Sequence, residues 1–298
     1  MKKIYTLTII ILSFFQSVYG QDDLLKLIPD DDAPEAVHGT FKSTRIISGQ
    51  SIETTPAHHL DYRISHRFGT INTGIDQFFG LDQGYVYMGF DYGINDRWMV
   101  GIGRSSVQKM VNVYTKYKLV TQKISGGSPI SVTLLGEGFA DFLQYPASEN
   151  RSASSKYSYA SQALIARKFS EKLSLQIMPT WVHRNRTNVI GETNDVIALG
   201  IGGRYKITKR TALIGEYYYV APNQLASTYK NALSFGFDIE TGGHVFSLHF
   251  TNSVGMVEKQ FITETTDSWA DGGIHFGFNL GRTFGLGKKY RNQYKVKN

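Results

Sequence analysis

Apolar and polar residues alternate along most of the chain in segments of roughly ten residues. This period-two pattern is typical of β-strands that have one apolar face and one polar face. In chain order the segments are His58–Arg67, Tyr85–Gly93, Arg97–Ser105, Met110–Thr121, Ile130–Phe142, Tyr157–Phe169, Leu173–His183, Asp195–Ile207, Thr211–Ala221, Tyr229–Glu240, His244–Thr251 and Gly273–Phe284. The pattern therefore predicts an all-β chain of about twelve strands.

The connections between these strands differ in length in a regular way. Connections two, six, eight and ten are tight and connection four is modest, whereas connections one, five, seven and eleven are long and polar. Connection three is short and connection nine is intermediate. Outer-membrane barrels alternate short periplasmic turns with longer extracellular loops, which a soluble β-sandwich has no reason to do. We therefore expect a transmembrane antiparallel up-and-down β-barrel with its C-terminus in the periplasm.

The two faces of each strand indicate which side meets lipid. In the last strand Phe276, Phe278 and Leu280 share one face, and His275 and Asn279 share the other. Unpaired charge in hydrocarbon costs about 2–4 kcal/mol at the bilayer midplane, so the apolar face is expected to point outward. The predicted lumen-lining residues are Asp61, Arg63, Arg67, Asp91, Lys116, Lys118, Glu137, Asp141, Arg204, Glu216, Asp238, His249 and His275.

Charges of both signs occur among these inward positions, and two interpretations fit them. They form a paired network that closes a small lumen, or they line a polar path that selects solutes. Twelve strands lie between eight, where side chains nearly fill a barrel, and sixteen, where an aqueous channel is open. The strand number therefore leaves both interpretations in place.

The start of the chain predicts export. Lys2 and Lys3 precede an apolar run that is too short to span a bilayer, and residues 1–20 are expected to be a signal peptide. Residues 21–56 form an acidic periplasmic lead-in, 57–284 the barrel, and 285–298 a basic periplasmic tail. Within the lead-in, Phe41–Gly49 alternates weakly. It fits an additional strand, a periplasmic hairpin or a plug in the lumen.

Composition supports a β-barrel in the bacterial outer membrane. The 298 residues include 13% aromatic residues, 30 Gly, 7 Pro and no Cys, which suits long strands with tight turns and excludes a disulfide framework. The net charge of +7 is concentrated partly in the tail, where anionic headgroups are a simpler partner than nucleic acid. We expect no nucleic-acid binding.

Candidate catalytic groups are weak. His58 and His59 are adjacent on a strand pattern and point to opposite faces, which makes a joint metal site with Asp61 improbable. Ser247 and His249 share a face, but that face is the inward one, away from lipid substrate. The sequence therefore predicts no enzyme, no catalytic residues, no metal site and no cofactor.

Several strings resemble one known family: TRIISGQSIET at 44–54, LDYRISHRFG at 60–69, FFGLDQG at 78–84 and MGFDYGINDRWMVGIGRS at 88–105. They are similar to an uncharacterised family of outer-membrane β-barrel proteins of the Bacteroidota, a domain of unknown function. The resemblance runs from about Phe41 to Phe284. It implies the barrel fold and the outer-membrane location, and it implies no activity or site residues.

Two functions are compatible with such a barrel. The first is a channel or small-solute transporter whose lumen charges set selectivity. The second is a sealed barrel that acts through its extracellular loops in structure, adhesion or partner docking. Residues 74–82 and 256–269 are expected to fold as short helices over the mouth, where they act as gates or as docking surfaces. An open lumen favours the first, and a lumen filled by ion pairs or by Phe41–Gly49 favours the second. The expected partners are outer-membrane lipid, the barrel-assembly machinery during biogenesis and a small polar solute.

Overall fold

Twelve antiparallel strands form a closed barrel in the computed structural model, which describes residues 35–241 and 244–286. Each strand pairs with the next along the chain, and β1 pairs with β12 to close the sheet. The strands are β1 (His59–Thr70), β2 (Gly84–Gly93), β3 (Trp98–Ser105), β4 (Val111–Val120), β5 (Ser131–Ala140), β6 (Tyr157–Lys168), β7 (Leu173–Arg184), β8 (Asp195–Lys206), β9 (Thr211–Val220), β10 (Leu233–Thr241), β11 (His244–Thr251) and β12 (His275–Gly285). The predicted fold is confirmed.

Within residues 35–241 and 244–286, helical structure is confined to connections. Short 3-10 helices occupy Ile71–Gly80, Val107–Lys109, Ala147–Glu149 and Ala153–Lys156, and an α-helix, here called α1, spans Glu258–Thr263. No helix within the described residues is long and apolar enough to cross a membrane. The predicted signal peptide at 1–20 lies outside the described residues, as do 21–34 of the lead-in and 287–298 of the basic tail.

The predicted strands agree with the observed ones to within a few residues. The largest difference is in β10, predicted from Tyr229 but beginning at Leu233. The four preceding residues belong to the connection, because the Tyr229 amide turns back to the carbonyl of Ala226 at 3.0 Å and the Lys230 amide donates to the carbonyl of Thr265 at 2.8 Å. Hydrogen bonds to another loop replace the strand ladder there.

Side-chain burial follows the alternation along each strand. In β7 the burial alternates residue by residue, with Gln176 1% exposed and its neighbours Leu175 and Ile177 42% and 45% exposed. Apolar outward faces suit lipid, and polar inward faces suit an enclosed lumen. Large inward side chains lie opposite glycine: Arg63 pairs with Gly89 on β2 and with Gly281 on β12. The missing side chains leave room for the guanidinium.

Two segments fold into the barrel. The first, here called the internal segment, runs from Thr40 to Thr55 and forms a tight turn rather than a barrel strand. The Ile46 amide donates to the Gly49 carbonyl, and Arg45 forms an isolated antiparallel β-bridge with Gln50. The second, here called the inward loop, is Ser253–Thr265 of the connection between β11 and β12. All six residues of α1 within it are buried.

The internal segment and the inward loop meet inside the barrel. Their apolar side chains form one buried cluster with inward wall residues: Phe41, Ile46, Ile47, Ile52, Met256, Val257, Phe261, Ile262, Tyr87, Met178 and Tyr218. The Phe261 and Tyr218 rings contact edge to face, with centroids 4.9 Å apart. A Cβ on Gly49 would lie 2.1 Å from the Tyr218 hydroxyl, so this close approach requires glycine. Backbone and side chains of both segments therefore occupy the lumen.

Candidate functional site: the occupied lumen

The predicted lumen-lining residues lie on β-strands or immediately beside them. Lys118 and Asp141 are partly exposed, and the remaining members of the set are buried. Some of them contact the internal segment, and others contact the wall or the loops. The buried members are Asp61, Arg63, Arg67, Asp91, Lys116, Glu137, Arg204, Glu216, Asp238, His249 and His275.

Lys116 on β4 holds the internal segment through its backbone. The ammonium group donates to the carbonyls of Thr44 at 3.0 Å, Ser51 at 2.9 Å and Glu53 at 2.6 Å. Lys116 is 0% exposed. A buried ammonium group has three donors, and here each donor has an acceptor. One wall charge thus fixes both ends of the turn.

Glu216 on β9 is a second anchor of the internal segment, and it binds backbone donors where Lys116 binds backbone acceptors. Its carboxylate accepts hydrogen bonds from the backbone amides of Ile47 (3.1 Å), Ser48 (2.7 Å) and Gly49 (3.1 Å). Successive amides that converge on one anion form a favourable concave donor set. The tip of the internal segment therefore binds a wall carboxylate, while its flanks bind a wall ammonium group.

Asp91 and Arg63 hold Thr44. The Thr44 hydroxyl donates to Asp91 at 2.7 Å, and the Arg63 guanidinium donates to the Thr44 hydroxyl at 2.9 Å and to Ser43 at 2.6 Å. The Tyr114 hydroxyl also donates to Asp91. These charge-assisted bonds are stronger than neutral ones.

Neutral amides complete the attachment. Gln176 on β7 accepts from the Ile52 amide at 2.8 Å and donates to the Gln50 carbonyl at 2.7 Å. Asn279 on β12 donates to the Ile47 carbonyl at 2.9 Å. Contacts to the internal segment therefore come from strands on opposite parts of the sheet.

The sequence matches a family model over residues 41–284, described as a membrane-bound β-barrel domain (DUF5777). The chain belongs to this family. It is a protein of the bacterial outer membrane. No curated protein sequence matches the chain. The match begins at the internal segment, so the DUF5777 domain contains both the barrel and the chain that fills it.

Solved structures share the barrel fold at low identity. The NanC porin is 12% identical with a TM-score of 0.47, over 75% of this chain and 98% of that one. The KdgM porin is 10% identical with a TM-score of 0.44, over 77% and 99%. Outer membrane phospholipase A from Escherichia coli is 9% identical with a TM-score of 0.45, over 77% and 91%. At these identities and scores the likenesses indicate neither a solute nor an activity for the DUF5777 chain.

Other predicted residues bind the wall or the loops. Arg204 pairs with Glu240 at 2.8 Å, and His275 contacts Asp267, in the connection between β11 and β12, at 3.1 Å. Asp141 accepts a hydrogen bond from the Tyr145 hydroxyl in the β5–β6 loop. Burial and that hydrogen bond raise the pKa of Tyr145 to about 12.

The candidate catalytic pair does not form. Ser247 donates to Asp238, and His249 is fully buried on the inward face. In the part of the chain that the structure describes, no group of three or more His, Cys, Asp or Glu residues is placed to hold a metal ion. The geometry around Ser247 is that of a buried wall hydrogen bond.

Three residues that contribute to the site are not predicted by the sequence pattern: Gln176, Arg45 and Glu258. Gln176 was detectable in principle, because it occupies an inward position of a strongly alternating strand. Arg45 and Glu258 lie outside the strands, where alternation says nothing about facing. Their ion pair, with Arg45 Nη1 3.6 Å from Glu258 Oε1, joins the internal segment to the inward loop.

A cavity of about 240 Å³ remains beside the internal segment, at the end of the lumen where β1 begins and β12 ends. Polar groups line much of it, including Lys42, Glu53 and Asp61, together with Gly281 and Thr283 of β12. Lys42 pairs with Glu240 at 3.2 Å, and Lys118 approaches Glu53 at 3.8 Å. The occupied lumen therefore keeps a polar vestibule on one side.

Proposed function

We propose that the protein is a small-solute channel or transporter whose lumen is closed in this state by the internal segment, and that it conducts when that segment is displaced. The proposal covers a non-enzymatic barrel of a Bacteroidota outer membrane. Its partners are outer-membrane lipid, the barrel-assembly machinery during biogenesis and a small polar solute.

The observation that carries the proposal is the polar attachment of the internal segment. Lys116, Glu216 and Gln176 hold it through hydrogen bonds to backbone groups. Replacing buried charges by apolar side chains of similar volume is often neutral or stabilising, so charge is a poor way to seal a barrel permanently. A polar lining suits a lumen that water fills in another state. The absence of cysteine from the chain leaves no disulfide to prevent displacement.

Ionic conductance in a planar bilayer tests the proposal. We expect the native chain to be silent for most of the recording, with rare openings. The double variant Lys116→Met and Glu216→Gln removes two wall anchors and should show stable, discrete current steps. The matched control, Lys209→Met and Glu171→Gln, makes the same charge changes in exposed periplasmic turns and should behave like the native chain.

Folding of each variant is checked by circular dichroism and by the electrophoretic mobility of the unheated barrel. A folded double variant that carries no current would refute the channel proposal. Current from the control variant equal to that from the double variant would refute the role of the internal segment.

The second candidate, a sealed barrel that acts through its loops, rests on the extracellular contacts. Arg184 pairs with Glu192, both with side chains 1% exposed, and Asn188 donates to Glu264 of the inward loop at 2.9 Å. The first loop presents Ile75 and Phe78 to solvent, 80% and 59% exposed. Interlocked loops with exposed apolar residues suit a docking surface. A silent but folded double variant would favour this function.

A further inference from the structure

Glu137, Glu258 and Arg45 come together where the barrel wall, the inward loop and the internal segment meet. Glu137 lies on β5, Glu258 is the first residue of α1, and Arg45 lies in the internal segment. The two carboxyl groups are within hydrogen-bonding reach of each other. Arg45 Nη1 lies 3.6 Å from Glu258 Oε1. None of the three residues is more than 5% exposed.

Few donors serve these carboxyl oxygens. Asn112 donates to Glu137 Oε1 at 2.6 Å. Among the described residues, no donor reaches Glu137 Oε2 or either oxygen of Glu258. Arg45 donates one hydrogen bond to the Ser48 carbonyl, at 2.9 Å, and its guanidinium also lies over the rings of Tyr87 and Tyr114. Three buried acceptor oxygens of the two carboxyl groups thus have no hydrogen-bond donor within the described residues.

The titratable and charged side chains that face the pair are Arg45 from the internal segment, Tyr87 from β2 and Tyr218 from β9. Tyr218 donates to the sulfur of Met178, and the Tyr87 hydroxyl makes no hydrogen bond among the described residues, so neither hydroxyl donates to the carboxyl groups. Arg45 is therefore the single positive charge in this group, and it offsets one carboxylate.

Two adjacent carboxylates shielded from water repel strongly, and one of them then retains a proton. We propose that Glu137 and Glu258 are a proton-binding pair that shares one proton at neutral pH, and that this proton keeps the inward loop docked on the wall. The shared proton forms an O–H···O bond between the two groups and supplies the missing donor. Its release to solvent leaves two negative charges against one arginine, and repulsion then drives Glu258 and α1 away from β5.

Docking of the inward loop is expected to respond to a rise in pH and not to a fall in pH. Binding of a second proton on acidification keeps a donor between the groups, and Arg45 keeps its bond to Ser48. The inward loop therefore stays docked at acidic and neutral pH and undocks as the pH becomes alkaline. The inference concerns loop docking, so it holds or fails whether or not the barrel conducts.

Hydrogen–deuterium exchange of residues 256–265 tests it in the folded barrel, in detergent micelles or lipid discs. Exchange rates are corrected for the intrinsic pH dependence of amide exchange. We expect protection of this stretch to fall about tenfold or more between about pH 6 and about pH 9, while the strands keep theirs.

The variants Glu137→Gln and Glu258→Gln each replace a titrating group by an amide that donates permanently to its partner. Each should keep the loop protected across the pH range. Asp238→Asn is the matched control, because it neutralises another buried inward carboxyl group, which accepts from Ser247 instead. This control should retain the native pH response.

Constant protection in the native protein would overturn the proposal. So would a native-like pH response in both glutamine variants. Loss of the response in Asp238→Asn as well would assign it to lumen charge in general and would equally overturn it. Conductance recordings of the same samples report separately on the proposed channel.

Discussion

Two charged residues of the lumen wall, Lys116 and Glu216, bind backbone groups of the internal segment rather than another charged side chain. Lys116 contacts three carbonyls and Glu216 contacts the amides of residues 47–49. A turn buried inside a barrel exposes backbone donors and acceptors that no strand can satisfy, and leaving them unpaired is costly. The wall charges meet this need. Isolated positions in the sequence therefore act as attachment points for one segment.

Replacing Lys116 should weaken the docking of the internal segment while the strands of the barrel stay paired. Lys116→Met leaves the carbonyls of Thr44, Ser51 and Glu53 without this donor, at a cost of about 1–3 kcal/mol in docking free energy. Amide exchange of residues 44–53 should accelerate, while exchange in the strands stays native. Lys118→Met is the control, because its partly exposed ammonium group only approaches Glu53, at 3.8 Å. Equal exchange in both variants would contradict the anchoring role of Lys116.

Tyr145 in the β5–β6 loop should titrate at an unusually high pH. Burial and donation to Asp141 raise its pKa from 10.0 to about 12. The neutral phenol is the form that makes this contact. Its contribution to loop stability is therefore complete below pH 10.0 and is lost as the pH rises through about 12.

Ultraviolet difference absorbance between the native chain and Tyr145→Phe isolates this phenol from the other tyrosines. Asp141→Asn, compared with its own Tyr145→Phe double variant, should lower the titration midpoint toward the ordinary value. A native midpoint near 10.0 would show that the contact is absent in solution.

At the scale of elements, the glycines of β3 decide how the neighbouring tyrosines pack. A Cβ on Gly101 would lie 2.3 Å from the Tyr114 ring, and one on Gly103 would lie 2.0 Å from the Tyr87 hydroxyl. Both tyrosines are buried and lie beneath Arg45. The two glycines of the strand thus leave room for both tyrosine rings, and these rings contact Arg45 of the internal segment.

Gly103→Ala should therefore destabilise the barrel by about 1–3 kcal/mol, because the added methyl group forces the Tyr87 ring from its position. Gly136→Ala on β5 is the matched control. Its Cβ would have no atom within 4 Å, so its unfolding free energy should stay close to the native value. Urea unfolding in lipid vesicles measures both. An equal effect of the two substitutions would mean that strand propensity, not ring packing, dominates at these positions.

The loop elements illustrate what patterning leaves undecided. Residues 74–82 and 256–269 were expected as short helices over the mouth, and helical structure does occur within both. Ile71–Gly80 keeps Ile75 and Phe78 exposed, whereas Glu258–Thr263 is buried throughout. A helix of six residues buries its whole surface only because two other elements, the wall and the internal segment, surround it. Local sequence contains no information about that surrounding.

At the scale of the whole molecule, the odd-numbered connections lie at one end of the barrel and the even-numbered ones at the other. The lead-in reaches the even end, where the Val37 amide donates to the Gln122 carbonyl at 2.8 Å. Short turns face the periplasm in outer-membrane barrels, so the internal segment is expected to enter from that side.

Labelling of intact cells tests this orientation on a chain without native cysteine. Ile190→Cys in the β7–β8 loop, where the side chain is fully exposed, should react with a membrane-impermeant thiol reagent. Lys209→Cys in the β8–β9 turn should react only after the cells are permeabilised. The reverse labelling pattern would show that the barrel has the opposite orientation, with the internal segment entering from outside the cell.

The sequence by itself determined the strands, their facing and the outer-membrane barrel. Period-two alternation is a property of each strand by itself. Because lipid lies outside the barrel and polar groups lie inside it, the apolar face of each strand can point only outward. In β7, Gln176 and Leu175 lie on the faces that the alternation indicates. The alternating connection lengths then determined the up-and-down order.

The occupation of the lumen was decided only by the tertiary structure. Phe41–Gly49 alternates too weakly to specify a strand, a hairpin or a plug, and its partners lie far along the chain, as Glu216 does from Ile47. Glu258 comes from a loop whose facing has no period at all. Contacts of this kind depend on which side chains lie at the same height along the barrel axis once the sheet has closed. Those heights are determined by the register between neighbouring strands, which no single strand encodes.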